Sequence, residues 1–212
     1  MTAHHPPDEQ LLPYVAGTAD DATALLVACH LTLCPSCRDR VAHAEAVGGA
    51  LLEATTAPAA TEGLLEATLA RLDDPEPESE VEHDPDGVLP APLAARVGRF
   101  EALPWRWLFP GVHGIELPTE GRGMPVRLLR LAAGGHVPLH EHRGDEITLV
   151  LTGGFTDASG HYVRGDVCAR DEEGVHEQRI DDGEDCVVLV VADAPFRPRS
   201  LKAWVASVTR GF

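Results

Sequence analysis

Residues 134–154 read GGHVPLHEHRGDEITLVLTGG, and this stretch decides how the chain is understood. It contains the string G-x5-H-x-H-x3-E-x6-G, which sets His140, His142 and Glu146 between Gly134 and Gly153. Side chains alternate along a strand, so His140 and His142 fall on one face. A loop then returns Glu146 to the same point from the next strand. A third imidazole, His176 in Gly174-Val-His-Glu, is placed where an antiparallel neighbour could carry it. Three imidazoles and a carboxylate suit zinc, iron, manganese, nickel or copper, and side-chain identity does not choose among them. The plainer alternative is a polar hairpin with exposed histidines. His113, His136 and His161 lack such a context and read as surface or core residues. Asp166 and Asp171 read as turn residues, and Asp181 to Asp185 as a solvated loop.

Around this string, short strand-like runs alternate with turn residues. Val126–Ala132, Glu146–Leu151, Val175–Ile180 and Cys186–Ala192 are separated by Gly134-Gly135, Gly153-Gly154, Ser159-Gly160 and Asp182-Gly183. Strands at this spacing, without helices between them, predict a sandwich or barrel. No internal repeat and no Walker or dinucleotide glycine fingerprint is present.

Upstream the periodicity changes to a helical one, rich in Ala and Leu. The pattern predicts a short helix capped by Asp8 and running through Val15, broken or kinked at Pro13, and a second opened by Asp20 and Asp21 with Leu25, Leu26 and Cys29 on one face. A third runs from Pro35 toward Glu53. A fourth, capped by Thr61, carries Leu64, Leu65, Thr68, Leu69 and Leu72 on one stripe. Such short helices make a thin core, so a staple is expected. The string His30-Leu-Thr-Leu-Cys34-Pro-Ser-Cys37 offers one. Two thiolates at a helix start can point at one ion, and a His one turn earlier completes the face. A tetrahedral zinc needs a fourth ligand, available from His4 or, preferred, His5. The competing readings are a pair of buried small hydrophobes and a redox C-x-x-C, which has no βαβ context here. Cys29 points away from the site and reads as core.

Between the two regions, DDPEPESEVEHDPD (73–86) is self-repelling and Pro-stiffened. Residues 73–90 hold eight acids, four prolines and no base, a composition that reads as a solvated linker allowing the halves to move. The domains expected are therefore 1–72, helical, and 91–212, all-β. The 212-residue chain carries 34 acidic and 17 basic residues, a net charge of −17, which argues against a protein that grips nucleic acid through phosphates. No apolar run approaches a membrane span, and no basic segment leads into an apolar secretory leader. Five cysteines, three within residues 29–37, do not form a secreted disulfide framework. A soluble, cytoplasmic protein is expected.

The H-x-H-x3-E-x6-G string resembles the first motif of the cupin superfamily, a double-stranded β-helix barrel. Gly165 through His176 resembles the second motif, without its usual proline and with Gly174 just before His176. The H-x3-C-x2-C string with an upstream His resembles the zinc anti-sigma domain. In this order the two resemble the ChrR family of zinc-binding anti-sigma factors over nearly the whole chain. The resemblance implies an α+β two-domain fold, a small all-α zinc-binding helical domain followed by an all-β cupin barrel. It implies zinc at His5, His30, Cys34 and Cys37, and zinc or another divalent metal at His140, His142, Glu146 and His176. It also implies an extracytoplasmic-function sigma factor as partner, held inactive and released under stress, with singlet oxygen or organic hydroperoxide as signals in the best-known members.

The residues agree with part of this. A helical domain of net charge −6 suits a basic DNA-binding partner. The stripe of Leu64, Leu65, Leu69 and Leu72 is either a partner-binding face or ordinary core. The leading expectation is a regulator without turnover. The alternative is a metal-dependent cupin enzyme, of dioxygenase, hydrolase or isomerase type, with an accessory zinc domain. A third reading is a small-molecule or metal-sensing module without a protein partner. Cys168 and Cys186, in or beside strands, read as inert buried thiols rather than sensors.

Overall fold

The computed structural model describes residues 2–74, 84, 87–119, 124–141, 144–170, 175–192 and 197–198. His142, Asp171, Gly174 and the run from Lys202 to Phe212 lie outside the described residues. The amino-terminal region is helical: α1 Asp8–Val15, α2 Asp21–Leu33, α3 Pro35–Glu53 and α4 Leu64–Ala70, the last followed by a 3-10 turn at Arg71–Asp73.

Local chemistry sets these boundaries. Asp20 caps α2, its carboxylate accepting from the N–H of Ala22 at 3.0 Å and of Thr23 at 3.2 Å and from the Thr23 hydroxyl at 2.7 Å. Pro35 fits the first turn of α3, where its missing N–H costs nothing. Two expected caps are corrected. Pro7 stands at the cap of α1, and Asp8 instead pairs with Arg40 on α3. Gly63, at φ +80°, caps α4, while Thr61 contributes only its carbonyl to Leu64 N–H. Glycine adopts the left-handed conformation that this cap uses without a Cβ penalty.

Downstream of α5 (Ala91–Val97) and a 3-10 turn at Phe100–Ala102 come the strands. They are β1 Arg106–Phe109, β2 Val112–Leu117, β3 Val126–Leu131, β4 His136–Glu141, β5 Glu146–Thr152, β6 Gly154–Asp157, β7 Gly160–Val163, β8 Val167–Arg170, β9 Val175–Ile180, β10 Cys186–Ala192 and β11 Arg197–Pro198. They form two antiparallel sheets, of order β1-β2-β3-β10-β5-β8 and β11-β4-β9-β6-β7. The four strands expected from the sequence are all present within a residue at either end. Helix α5 was not anticipated.

The molecule is built in three layers. On β10, Val187, Leu189 and Val191 face the helices, packing with Leu25, Leu26 and Cys29 of α2 and Leu93 and Ala94 of α5. The alternate residues Cys186, Val188, Val190 and Ala192 face the second sheet, against Phe155, Tyr162 and Ile180. Both faces of the central strands are thus covered, so β10 reads as a continuous apolar run and β5 is buried almost throughout, Glu146 and Thr148 included. The same logic makes α2 apolar nearly all round. One side enters the shared core, and the other, through Val27, joins a smaller cluster with Leu11, Cys34, Cys37 and Val41.

The helical and β regions therefore share one core. The far end of the expected linker takes part in it: Leu89 is buried there, and the Asp84 carboxylate accepts from the N–H of Val88 (2.9 Å), Leu89 (2.8 Å) and Phe100 (3.2 Å). Among the described residues, no helix is long and apolar enough to cross a membrane.

Candidate metal centre

Four sequence-predicted ligands converge. The ligand atoms of His5, His30, Cys34 and Cys37 all lie within 4.8 Å of one another. Helix α2 supplies His30 from its last turn. The break at Cys34-Pro35 turns the chain, so that Cys34 caps α3 and Cys37 sits in its first turn. The Cys34 sulfur accepts from Cys37 N–H at 3.4 Å. His5 comes from an extended arm, residues 2–7, and its Nδ1 is 3.4 Å from each sulfur. His4 goes elsewhere, its ring 4.4 Å from that of Tyr162 in β7.

Two features suit this cluster to a cation. His30 is fully buried, and its Nδ1 donates to the Gly165 carbonyl at 2.8 Å. That bond fixes the tautomer and leaves Nε2 with a lone pair, buried and without a hydrogen-bond partner among the described residues. Burial lowers the pKa of the ring, which keeps it neutral and able to ligate. The thiols give the second sign. Burial works to raise Cys34, but hydrogen bonds from Thr2, Cys37 and Ser36 outweigh it and lower the thiol. Burial, and then the charge of Cys34 itself, raise Cys37. One thiolate makes the second costly, and a shared divalent ion relieves both. Arg40, 3.7 Å from the Cys37 sulfur, offers only partial relief.

The arm reaches the centre by way of the β-region. The Asp166 carboxylate, in the β7–β8 turn, accepts from the N–H of Ala3 at 2.7 Å and of His4 at 3.0 Å. Val167 N–H donates to the His4 carbonyl at 3.1 Å. The Thr2 hydroxyl donates to the Cys34 sulfur at 3.1 Å. Gly165, at φ +92°, has no room for a Cβ, which would meet Thr2 Cγ2 at 2.6 Å. Asp166 looked like a turn residue in the sequence. It accepts the Val163 N–H as a turn residue does, and also clamps the arm.

For the second constellation, β4 and β9 pair in a register that sets His140 opposite His176. Glu146 lies on the face of β5 turned toward the second sheet, in register with Arg170 of β8. Burial pushes its carboxyl up to about 7, against the lowering pull of Arg170 and Thr148. His142 lies outside the described residues. Nearby, Arg170 pairs with the buried Asp157. The Tyr162 hydroxyl bonds the Cys168 sulfur, and burial raises the thiol of Cys168. Cys186 is pushed by burial up to about 12, and Cys29, in the shared core, likewise to about 12. Leu64, Leu65, Leu69 and Leu72 are 51–74% exposed and belong to no core cluster of the described residues. Leu51 and Leu52 at the end of α3 are similarly exposed.

Residues 94–195 match the model of the ChrR cupin-like domain. The chain is 43% identical, over 195 residues, to the anti-sigma-E factor ChrR of Cereibacter sphaeroides, covering 92% of this chain and 91% of that one. Among solved structures it is similar to ChrR in the crystal structure of Rhodobacter sphaeroides SigE in complex with the anti-sigma ChrR. That likeness has 42% identity and a TM-score of 0.80, covering 91% of this chain and all of the other.

Proposed function

The chain belongs to the ChrR family of anti-sigma factors, and from that premise we propose that it binds an extracytoplasmic-function sigma factor, holds it inactive and releases it under stress. What carries the reading is the likeness, through 91% of the chain, to an anti-sigma factor solved with its sigma factor. The protein acts in the cytoplasm by binding rather than by turnover. Residues 1–72 sequester the sigma factor and residues 91–212, a double-stranded β-helix cupin, receive the signal, with 73–90 connecting them.

Zinc is the ion that best suits two thiolates and two imidazoles in a tetrahedral set, and His5, His30, Cys34 and Cys37 would hold it. It supplies a redox-inert cross-link between the arm and the α2–α3 corner. His140, His142, Glu146 and His176 would hold a second divalent metal. The opposed register of His140 and His176 and the buried carboxyl of Glu146 support that assignment. The exposed leucines of α4 are the apolar face offered to the partner.

The test is co-expression of the full chain with its cognate sigma factor, followed by mass measurement under native conditions and promoter-specific transcription. A 1:1 complex carrying zinc, unable to start transcription, is expected. A chain that neither associates with the sigma factor nor lowers transcription refutes the reading.

A further inference from the structure

We propose that Asp166, in the cupin domain, is a positioning residue for the metal centre of the helical domain, holding His5 in place through the backbone of the arm. The inference rests on the metal reading above and concerns how that site is completed. Three of the four ligands stand on α2, on α3 and on the cap residue between them. The fourth, His5, stands on an arm outside any helix, and such a segment finds a metal only if something fixes it. Asp166 is 99% buried, and one of its oxygens takes the N–H of both Ala3 and His4, the two residues before the ligand.

The platform itself is rigid. Gly165 N–H donates to the Val150 carbonyl at 2.8 Å, Val150 N–H to the Asp166 carbonyl at 3.0 Å, and Asp166 N–H to the Val163 carbonyl at 2.8 Å. The adjacent carbonyl of Gly165 orients the His30 ring. Two consecutive residues of the β7–β8 turn thus direct both imidazoles of the centre, while the cysteines are directed by their own helix. The metal centre is in this sense shared between the domains, and loading it strengthens the grip of the arm on β8.

The experiment titrates the metal-free full chain with Co2+, whose thiolate charge-transfer band reports only the cysteine-bearing centre, because the second ligand set contains no thiolate. Asp166→Ala removes the clamp. Ala3→Pro removes one of its donors and leaves the cupin domain untouched. Asp166→Asn keeps an acceptor oxygen for the arm. Asp166→Ala and Ala3→Pro are expected to weaken Co2+ binding roughly 10- to 100-fold, with Asp166→Asn between them and wild type. In a His5→Ala background, Asp166→Ala should cost far less than in wild type, since the clamp acts chiefly through His5 and otherwise only through the Thr2–Cys34 hydrogen bond. Wild-type affinity in both Asp166→Ala and Ala3→Pro overturns the inference, as does an equal loss on adding Asp166→Ala to His5→Ala. A wild-type chain with no charge-transfer band fails earlier, and overturns the metal reading itself along with this one.

Discussion

Leu26→Ala probes whether the helical layer and the sheet fold as one. Leu26 has no solvent exposure and lies in the cluster that joins α2 and α5 to the six-stranded sheet. Truncation there leaves a cavity walled by two different layers, neither of which can collapse freely. Buried Leu→Ala changes cost about 3–5 kcal/mol in well-packed sites. In a chain of this size each kcal/mol lowers the melting temperature by roughly 2–4 °C, so a fall of about 10 °C is expected. Differential scanning calorimetry of the metal-loaded chain reads it. Leu189→Ala, on β10 across the same core, should lower the same transition by a similar amount. Two separate transitions, with Leu26→Ala moving only one and Leu189→Ala only the other, would show that the layers are independent and the shared core energetically idle.

Replacing Cys34 and Cys37 together by serine should abolish metal binding at the His5 centre and with it sigma-factor association, measured by metal content and by fluorescence anisotropy; normal inhibition by this variant would mean that the staple is dispensable. Leu65→Asp with Leu69→Asp, on exposed positions of α4, should leave circular dichroism and melting unchanged while weakening the sigma complex at least tenfold; unaltered affinity would remove α4 from the interface. In metal-free protein, the raised carboxyl of Glu146 contributes stability that is full below 4.5 and is lost as pH rises through about 7. Glu146→Gln escapes that loss, so its stability advantage should grow across this window and level off above it at about 3 kcal/mol, read by urea unfolding with chelator present. An advantage that does not change with pH would refute a buried, neutral carboxyl.

Much of this was legible in residue order. The break at Cys34-Pro35 announces both the end of α2 and the cap of α3, so the spacing of His30, Cys34 and Cys37 translates directly into a corner where the three side chains converge. His5 over His4 follows less directly, because strand alternation along the arm says that the two diverge but not which way. Packing of α2 against the sheet was hidden because an all-round apolar helix names no partner. The role of Asp166 was hidden more deeply. Beyond the local Val163 N–H, its partners are two backbone N–H groups more than 160 positions away, and a backbone donor leaves no trace in side-chain identity. The acidic run 73–86 signalled separation, yet Leu89, a few residues later, returns to the common core.

Sinking one side of α2 into the sheet has a mechanical consequence. Pulling the helices off would strip Leu25, Leu26, Leu93 and Leu189 of their shelter together, at a cost comparable to the whole stability of an ordinary domain. If the outer helices are what clasps the partner, that captive is bolted to a plate rather than hung from a hinge. A signal received by the β-region would then reach that captive through the packed layers rather than through a swing of one half against the other.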